Sequence, residues 1–170
     1  MVGGNAKNSD SFTVTTPSDQ EVRLTRLFDA PRELVFEAMT KPEHVKQWWG
    51  RLGDGYSVPE CTIDLRVGGA WRFVNRHPHG EVVFYGEYQE IAPPSRLVFT
   101  EIFADFPDTV SVVTTVFTEE NGQTRMTATV RYPSAEVRDM VLGTGMAKGA
   151  GLSYDALEAL LATLRKARLK

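Results

Sequence analysis

The feature that most constrains this chain is a succession of strand-like segments broken only by short turn signals and closed by one amphipathic helix. Strand candidates fall at 60–67, 70–76, 81–91, 96–104, 109–118 and 123–132. Between them stand Gly68-Gly69, Pro78-His79-Gly80, Pro93-Pro94-Ser95, Pro107-Asp108 and Asn121-Gly122, residues whose allowed dihedrals suit tight reversals. Connections this short join antiparallel neighbours, because a parallel pair needs a crossover of a dozen or more residues. An antiparallel meander is expected.

Upstream, Phe12–Thr16 and Glu21–Phe28 favour strand around a polar break at Pro17-Ser18-Asp19, giving two strands or one interrupted strand. Asp29-Ala30-Pro31 reads as a helix start with Pro31 at the first helical position, and Val35, Phe36 and Met39 form the buried stripe. Pro42 opens a second short helix that Gly50 closes, carrying Val45, Trp48 and Trp49. After the meander, Leu157, Leu160, Leu161 and Leu164 recur at helical spacing, and Lys166, Arg168 and Lys170 complement the negative end of that helix. Ser134 is placed to cap a shorter helix through Leu142. Gly143, Gly145, Gly149 and Gly151 each cost roughly 1 kcal/mol relative to Ala in a helix interior, so a kink is expected near 143–151.

At 170 residues the chain supports one domain, expected at 11–168 behind an aperiodic tail at 1–10. Nineteen Lys and Arg against twenty-two Asp and Glu leave none of the basic excess that phosphate-backbone binding needs, which argues against nucleic acid as partner. The single cysteine, Cys61, cannot close an intramolecular disulfide, which favours a reducing, cytoplasmic location. The first residues lack the apolar centre of a secretory signal, and no run of eighteen apolar residues occurs, so neither export nor a membrane role is expected.

One terminal helix can be buried on such a meander only by lying across a strongly curved sheet. The fold class is therefore α+β: a curved antiparallel sheet gripping a long C-terminal helix, with two short helices after the first strand and a cavity between. The stretches TRLFDAPRELVFEAMTKPEHVKQWWG, IDLRVGGAWRF, GEYQEIAPPSRLVFTE and NGQTRMTATV resemble, in this order, the activator of heat-shock protein 90 ATPase branch of the START and birch-pollen-allergen (SRPBCC) superfamily. The resemblance runs from about Arg26 to Leu164 and implies the helix-grip fold that the element order reaches independently. It implies less about function, since one scaffold of this superfamily serves lipid carriers, receptors, cyclases, hydratases and co-chaperones. The chain departs from the family pattern at Leu152, where relatives often have Trp after the Gly, and at Glu101, where relatives often have an aromatic residue.

The residues set out for ligand contact are Trp48, Trp49, Trp71, Phe73, Tyr85, Phe99, Glu101, Phe103, Met126, Met140, Met146 and Tyr154. Aromatic and Met side chains at such spacings form ordinary core or, on a concave sheet, the wall of a shared cavity. Glu101 stands at even spacing from Leu97, Phe99 and Phe103, which puts a carboxylate on an apolar face. It is either a desolvated acid, base or ligand anchor, and then the catalytic candidate, or it is turned outward by a bulge or paired with an Arg. Tyr85, Glu87, Arg72 and Asp64 are further polar candidates on neighbouring strands. His77, His79 and Glu81 could aim at one metal ion, although Pro-His-Gly also reads as a hairpin tip, and no metal is expected; His44 is expected to face solvent. Cys61 reads as a buried strand residue, and neither a nucleophile elbow nor a phosphate or dinucleotide loop occurs, so no cofactor is implied.

Three roles follow. The first is binding of a small hydrophobic or aromatic molecule for carriage, sensing or sequestration. The second is a cavity enzyme of cyclase, dehydratase or hydrolase type using Glu101, Tyr85 or Arg72. The third, by analogy with the co-chaperone that gives the branch its name, is a chaperone partner whose ATPase the protein stimulates.

Overall fold

A computed structural model describes residues 11–169, so the tail expected at 1–10 lies outside the described residues. Strands β1 (Phe12–Thr15) and β2 (Glu21–Phe28) form a hairpin over residues 16–20, so the two short helices follow the second strand rather than the first. Helix α1 (Arg32–Thr40) begins one residue after Pro31, which is the extended N-cap, and α2 (Pro42–Trp48) carries its proline in the first turn. The meander is β3 (Ser57–Ile63), β4 (Ala70–His77), β5 (Gly80–Ala92), β6 (Arg96–Phe103), β7 (Ser111–Glu120) and β8 (Gln123–Arg131). All eight strands join one antiparallel sheet in the order β1-β2-β8-β7-β6-β5-β4-β3. Helices α3 (Ala135–Gly143) and α4 (Met146–Arg168) complete the helix-grip fold.

β3 starts earlier and stops earlier than the sequence suggests. Ser57 and Val58 join across an irregularity in the pairing with β4, while residues 64–69 turn back, with Arg66 N–H donating to Asp64 O and Gly69 N–H to Arg66 O. Ser134 caps α3 as expected, its Oγ accepting from Val137 N–H at 3.1 Å. The break between α3 and α4 is confined to Thr144 and Gly145, where Gly145 adopts φ +85°; Gly149 and Gly151 lie inside α4 without interrupting it.

The core forms where α1 and α4 meet the concave face of β2, β8 and β7. There Val22, Phe28, Met126 and Phe117 are buried with Leu34 and Val35 of α1 and Leu157 and Leu161 of α4. Burying each of these side chains contributes roughly 1.5–3 kcal/mol. Side-chain bonds fix the angles between elements: Thr124 Oγ1 donates to Ala30 O at 2.7 Å, and Trp48 Nε1 donates to Ala38 O at 2.9 Å. A second junction forms at Gly50, whose N–H donates to Ser153 Oγ of α4 and whose carbonyl accepts from Asn75 Nδ2 of β4. Gly50 has φ +64°, and a Cβ there would lie 2.4 Å from Asn75 Nδ2, so any other residue would be strained and would displace the Asn75 amide.

A third close approach shapes the concave face of the other half-sheet. Gly86 of β5 pairs with Trp71 of β4, and the absence of a side chain lets the indole reach over β5 so that Trp71 Nε1 donates to Thr100 O at 3.1 Å. A Cβ on Gly86 would lie 1.9 Å from Thr100 O. Gly86→Ala is expected to cost about 3 kcal/mol through backbone displacement and a displaced Trp71. Gly149→Ala, whose Cβ would meet Leu52 Cδ1 at an ordinary 3.9 Å, is expected to stabilise α4 by about 0.5–1 kcal/mol. Urea midpoints of the two variants check both signs.

Candidate functional site

Strand alternation places Trp71, Phe73 and Asn75 of β4, Phe84, Gly86 and Tyr88 of β5, and Phe99, Glu101 and Phe103 of β6 on the concave face. Their rings form one connected group. Trp71 packs on Phe73 at 4.8 Å and edge-on to Phe99 at 5.7 Å, while Phe84 stacks on Phe103 at 5.1 Å. Trp49, just past the end of α2, turns its ring edge-on to Phe73 and Phe84, each at 5.1 Å. Trp71 and Phe73 are buried, whereas Trp49, Phe84, Phe99 and Phe103 keep part of their surface. Edge-to-face pairs like these hold a rigid aromatic surface at low entropic cost.

A second aromatic group surrounds Tyr154 of α4, which meets Phe12 and Phe28 edge-on at 5.9 Å each and Trp48 at 6.4 Å. Arg26 of β2 belongs to it. The guanidinium lies over the Phe28 ring at 5.4 Å, and Nη1 pairs with Asp155 Oδ1 at 2.9 Å, while Nε is buried without a hydrogen bond. The side chain is only 10 % exposed, so its charge is held by Asp155 and the ring rather than by water.

Glu101 connects the two groups. It pairs in register with Ser111 of β7, whose hydroxyl donates to the Glu101 backbone carbonyl at 3.1 Å, while its carboxyl group has no hydrogen bond or ion pair among the described residues. Glu101 keeps accessible surface, yet burial pushes its carboxyl up to about 7. The two facts agree if the accessible surface faces the concave interior rather than bulk water. The charge reaches Tyr132, just beyond β8, and Tyr154, and it adds to burial in pushing both phenols well above their ordinary range, so both remain neutral donors.

Of the residues set out from sequence, Trp49, Trp71, Phe73, Phe99, Glu101 and Phe103 come together on this face, with Tyr154 in the group across from it. Trp48 and Met126 fill the core, and Met146 is half-buried against it at the start of α4. Tyr85 is on the other face, in register with Arg72 and Ile102, because the aromatic position that alternates with Trp71 and Phe73 is Phe84. Met140 is 48 % exposed, because α3 buries no side chain fully. Arg72 pairs with Glu60, Asp64 pairs with Arg66 at 2.9 Å, and Glu87 is exposed, so none of these three turns inward.

Sequence reasoning passed over Phe84, Tyr88, Tyr132 and Arg26. The signal was present. Phe84, Gly86 and Tyr88 alternate; Tyr132 continues the series Met126, Ala128, Val130; and Arg26 interrupts the apolar series Val22, Leu24, Phe28. His44 is half-buried with Nδ1 turned inward and unpartnered, contrary to the solvent-facing expectation. His77 and His79 sit at the β4–β5 hairpin, where His79 N–H donates to His77 Nδ1, and among the described residues no three His, Cys, Asp or Glu side chains converge as metal ligands. Cys61 lies on the concave side beside Phe73, half-buried rather than fully so; burial pushes its thiol up to about 11, with Lys46 opposing, which leaves it protonated and a poor nucleophile near neutral pH. A separate open groove of about 610 Å³ runs along the second half of α4 past Asp29, Glu158 and Arg165, and none of the aromatic face lines it.

The family described as activator of Hsp90 ATPase homolog 1-like protein matches residues 29–162, from the start of α1 to the last turns of α4. The chain belongs to this family. Solved structures agree: a protein from Rhodobacter sphaeroides is 27% identical over 90% of this chain and 99% of its own, with a TM-score of 0.81. Protein Ms6760 from Mycobacterium smegmatis is 30% identical over 88% of this chain and 96% of its own, with a TM-score of 0.79. Protein NE0264 from Nitrosomonas europaea is 25% identical over 88% and 98%, with a TM-score of 0.76. No curated protein matches the chain. No helix among the described residues is long and apolar enough to cross a membrane.

For this member of the activator family, the raised Glu101 carboxyl has a consequence for stability. An acid whose folded pKa exceeds its unfolded value contributes stability that is fully present below the unfolded pKa and is lost as pH rises through the folded one. For Glu101 the window runs from the model-compound value of 4.5 to about 7, a span worth on the order of 3 kcal/mol. Glu101→Gln is therefore expected to reduce the loss of stability between pH 4 and pH 8 by about that amount. Urea unfolding of both proteins at the two pH values measures it, and identical profiles would place the carboxyl in water.

Proposed function

We propose that this protein binds a small hydrophobic or aromatic molecule against the concave face of β4–β6, for carriage, sensing or sequestration. The observation that carries this reading is the partial exposure of Trp49, Phe84, Phe99 and Phe103 on the concave side of a sheet whose other half is fully packed. Apolar rings that pack against the core yet keep part of their surface, held by edge-to-face contacts, supply the surface that small-molecule sites use, and Glu101 supplies a polar group to orient what binds there. The helix-grip fold is compatible with this role, although fold alone does not assign one.

A catalytic role has one specific observation in its favour. A carboxyl group that titrates at about 7 is matched to proton transfer at neutral pH, and Glu101 could serve as either general acid or general base. Its neighbours Tyr132 and Tyr154 hold their protons too firmly to complete an acid–base pair, so the binding reading stands first. A chaperone partner is the reading that would remain if no ligand bound.

Titration with the neutral dye N-phenylnaphthylamine, followed by its fluorescence, tests the site. Trp49→Ala and Phe99→Ala are expected to weaken binding at least about tenfold, equivalent to about 1.4 kcal/mol, while Tyr85→Ala on the outer face leaves it unchanged. Equal affinity in all three folded variants would remove the concave face from the binding surface. Native mass spectrometry of the freshly purified protein, followed by organic extraction, would then identify any molecule the protein carries.

A further inference from the structure

We propose that the ligand held on this face carries a protonated amine and that Glu101 is its counter-ion, with the Tyr132 and Tyr154 hydroxyls beside it. The inference rests on the binding reading above and adds the chemistry of the ligand's polar end.

Among the described residues the Glu101 carboxyl has no partner on any side. Along β6 its same-face neighbours are the rings of Phe99 and Phe103. Toward β7 it meets Ser111, whose hydroxyl is committed to the Glu101 backbone carbonyl. Toward β5 stands Gly86, which has no side chain, with the Trp71 indole bonded across it to Thr100 O. From the end of β8 and from α4 come two neutral phenols, Tyr132 and Tyr154. Arg26 of β2 acts on Tyr154 but is engaged by Asp155, and no cation holds the Glu101 proton affinity down.

A buried carboxylate needs a compensating charge, and here the side chains that pack around it supply none. They supply aromatic rings instead. Aromatic faces attract a cation electrostatically, and an ammonium set among them beside a carboxylate is recognised twice, by the ring quadrupoles and by the charge. Other ligand classes fit less well. A carboxylate or phosphate would meet like charge with no basic side chain to offset it, and a wholly apolar ligand would leave the carboxyl desolvated without gain. A neutral alcohol gains one hydrogen bond and no ion pair.

Binding of a cation should therefore draw the proton off Glu101. With a pKa of about 7 the ionised fraction rises about tenfold between pH 6 and pH 8, a range in which an alkyl amine stays protonated. Amine affinity should rise with pH over that interval, whereas a neutral ligand that accepts a hydrogen bond from the protonated acid should lose affinity.

Isothermal titration calorimetry with naphthylmethylamine and naphthylmethanol, which share one aromatic body, tests the proposal. In the unmodified protein at pH 8 the amine is expected to bind at least tenfold tighter than the alcohol, and to weaken about tenfold at pH 6. Glu101→Gln is expected to abolish the preference for the amine at pH 8 and to flatten the pH dependence of amine binding. If that variant fails to fold, the pH profile of the unmodified protein decides alone. Equal affinity for the two probes at pH 8, a preference that survives Glu101→Gln, or amine binding that is flat or falls from pH 6 to pH 8 overturns the amine assignment while leaving the hydrophobic site standing. Binding of neither probe overturns both.

Discussion

The apolar stripe of α4 is narrower than the sheet it lies on, and much of the molecule follows from that mismatch. Eight strands at the usual spacing span about 34 Å, while a helix with its side chains is about 10–12 Å across. Tyr154, Leu157, Leu160 and Leu161 are therefore buried over one half of the sheet, where α4 meets β2 and α1 covers β7 and β8. On that side the core is closed to solvent at Phe28, Phe117 and Met126. The β4–β6 half has no second long helix, and its concave face is finished with large rings that partly cover one another.

Such a face needs support that a close-packed core supplies without special devices. The junctions that provide it are glycine positions. Gly86 lets Trp71 bridge β5 to the backbone of β6, and Gly50 brings the end of α2 against Asn75 of β4 and Ser153 of α4. Trp49 is aimed by that second junction, because it immediately precedes Gly50 and its ring reaches Phe73 and Phe84. The aromatic surface is thereby held in place by hydrogen bonds to backbone as well as by ring contacts.

Electrostatics divides the interior in the same way. Arg26, on the packed side, is the kind of buried charge a stable fold tolerates, with Asp155 and the Phe28 ring close to it. The Glu101 carboxyl, where the two halves meet, has no such partners among the described residues, and the low polarity around it keeps its proton into the neutral range. A charge engaged within the fold reads as structure. One left without a partner on a rigid aromatic face reads as a place for something else, which is why the functional reading centres on Glu101.

Local chemistry fixed much of what the sequence by itself determined. Turn residues such as Asn121-Gly122, the Ser134 cap and the period-2 alternation of β7 and β8 depend on dihedral limits and nearest neighbours, so the antiparallel meander, the terminal helix and the apolar position of Glu101 were legible without coordinates. The tertiary structure decided which of the two faces of β5 turns inward. The rings of Trp71 and Phe73 select Phe84 and leave Tyr85 outside, a choice that sits in cross-strand register and not in the residues of β5 alone. It also decided that Tyr132 and Tyr154, twenty-two residues apart in the chain, share the field of Glu101. Alternation assigns a residue to one of two faces, but only packing between elements distant in sequence determines what that face meets.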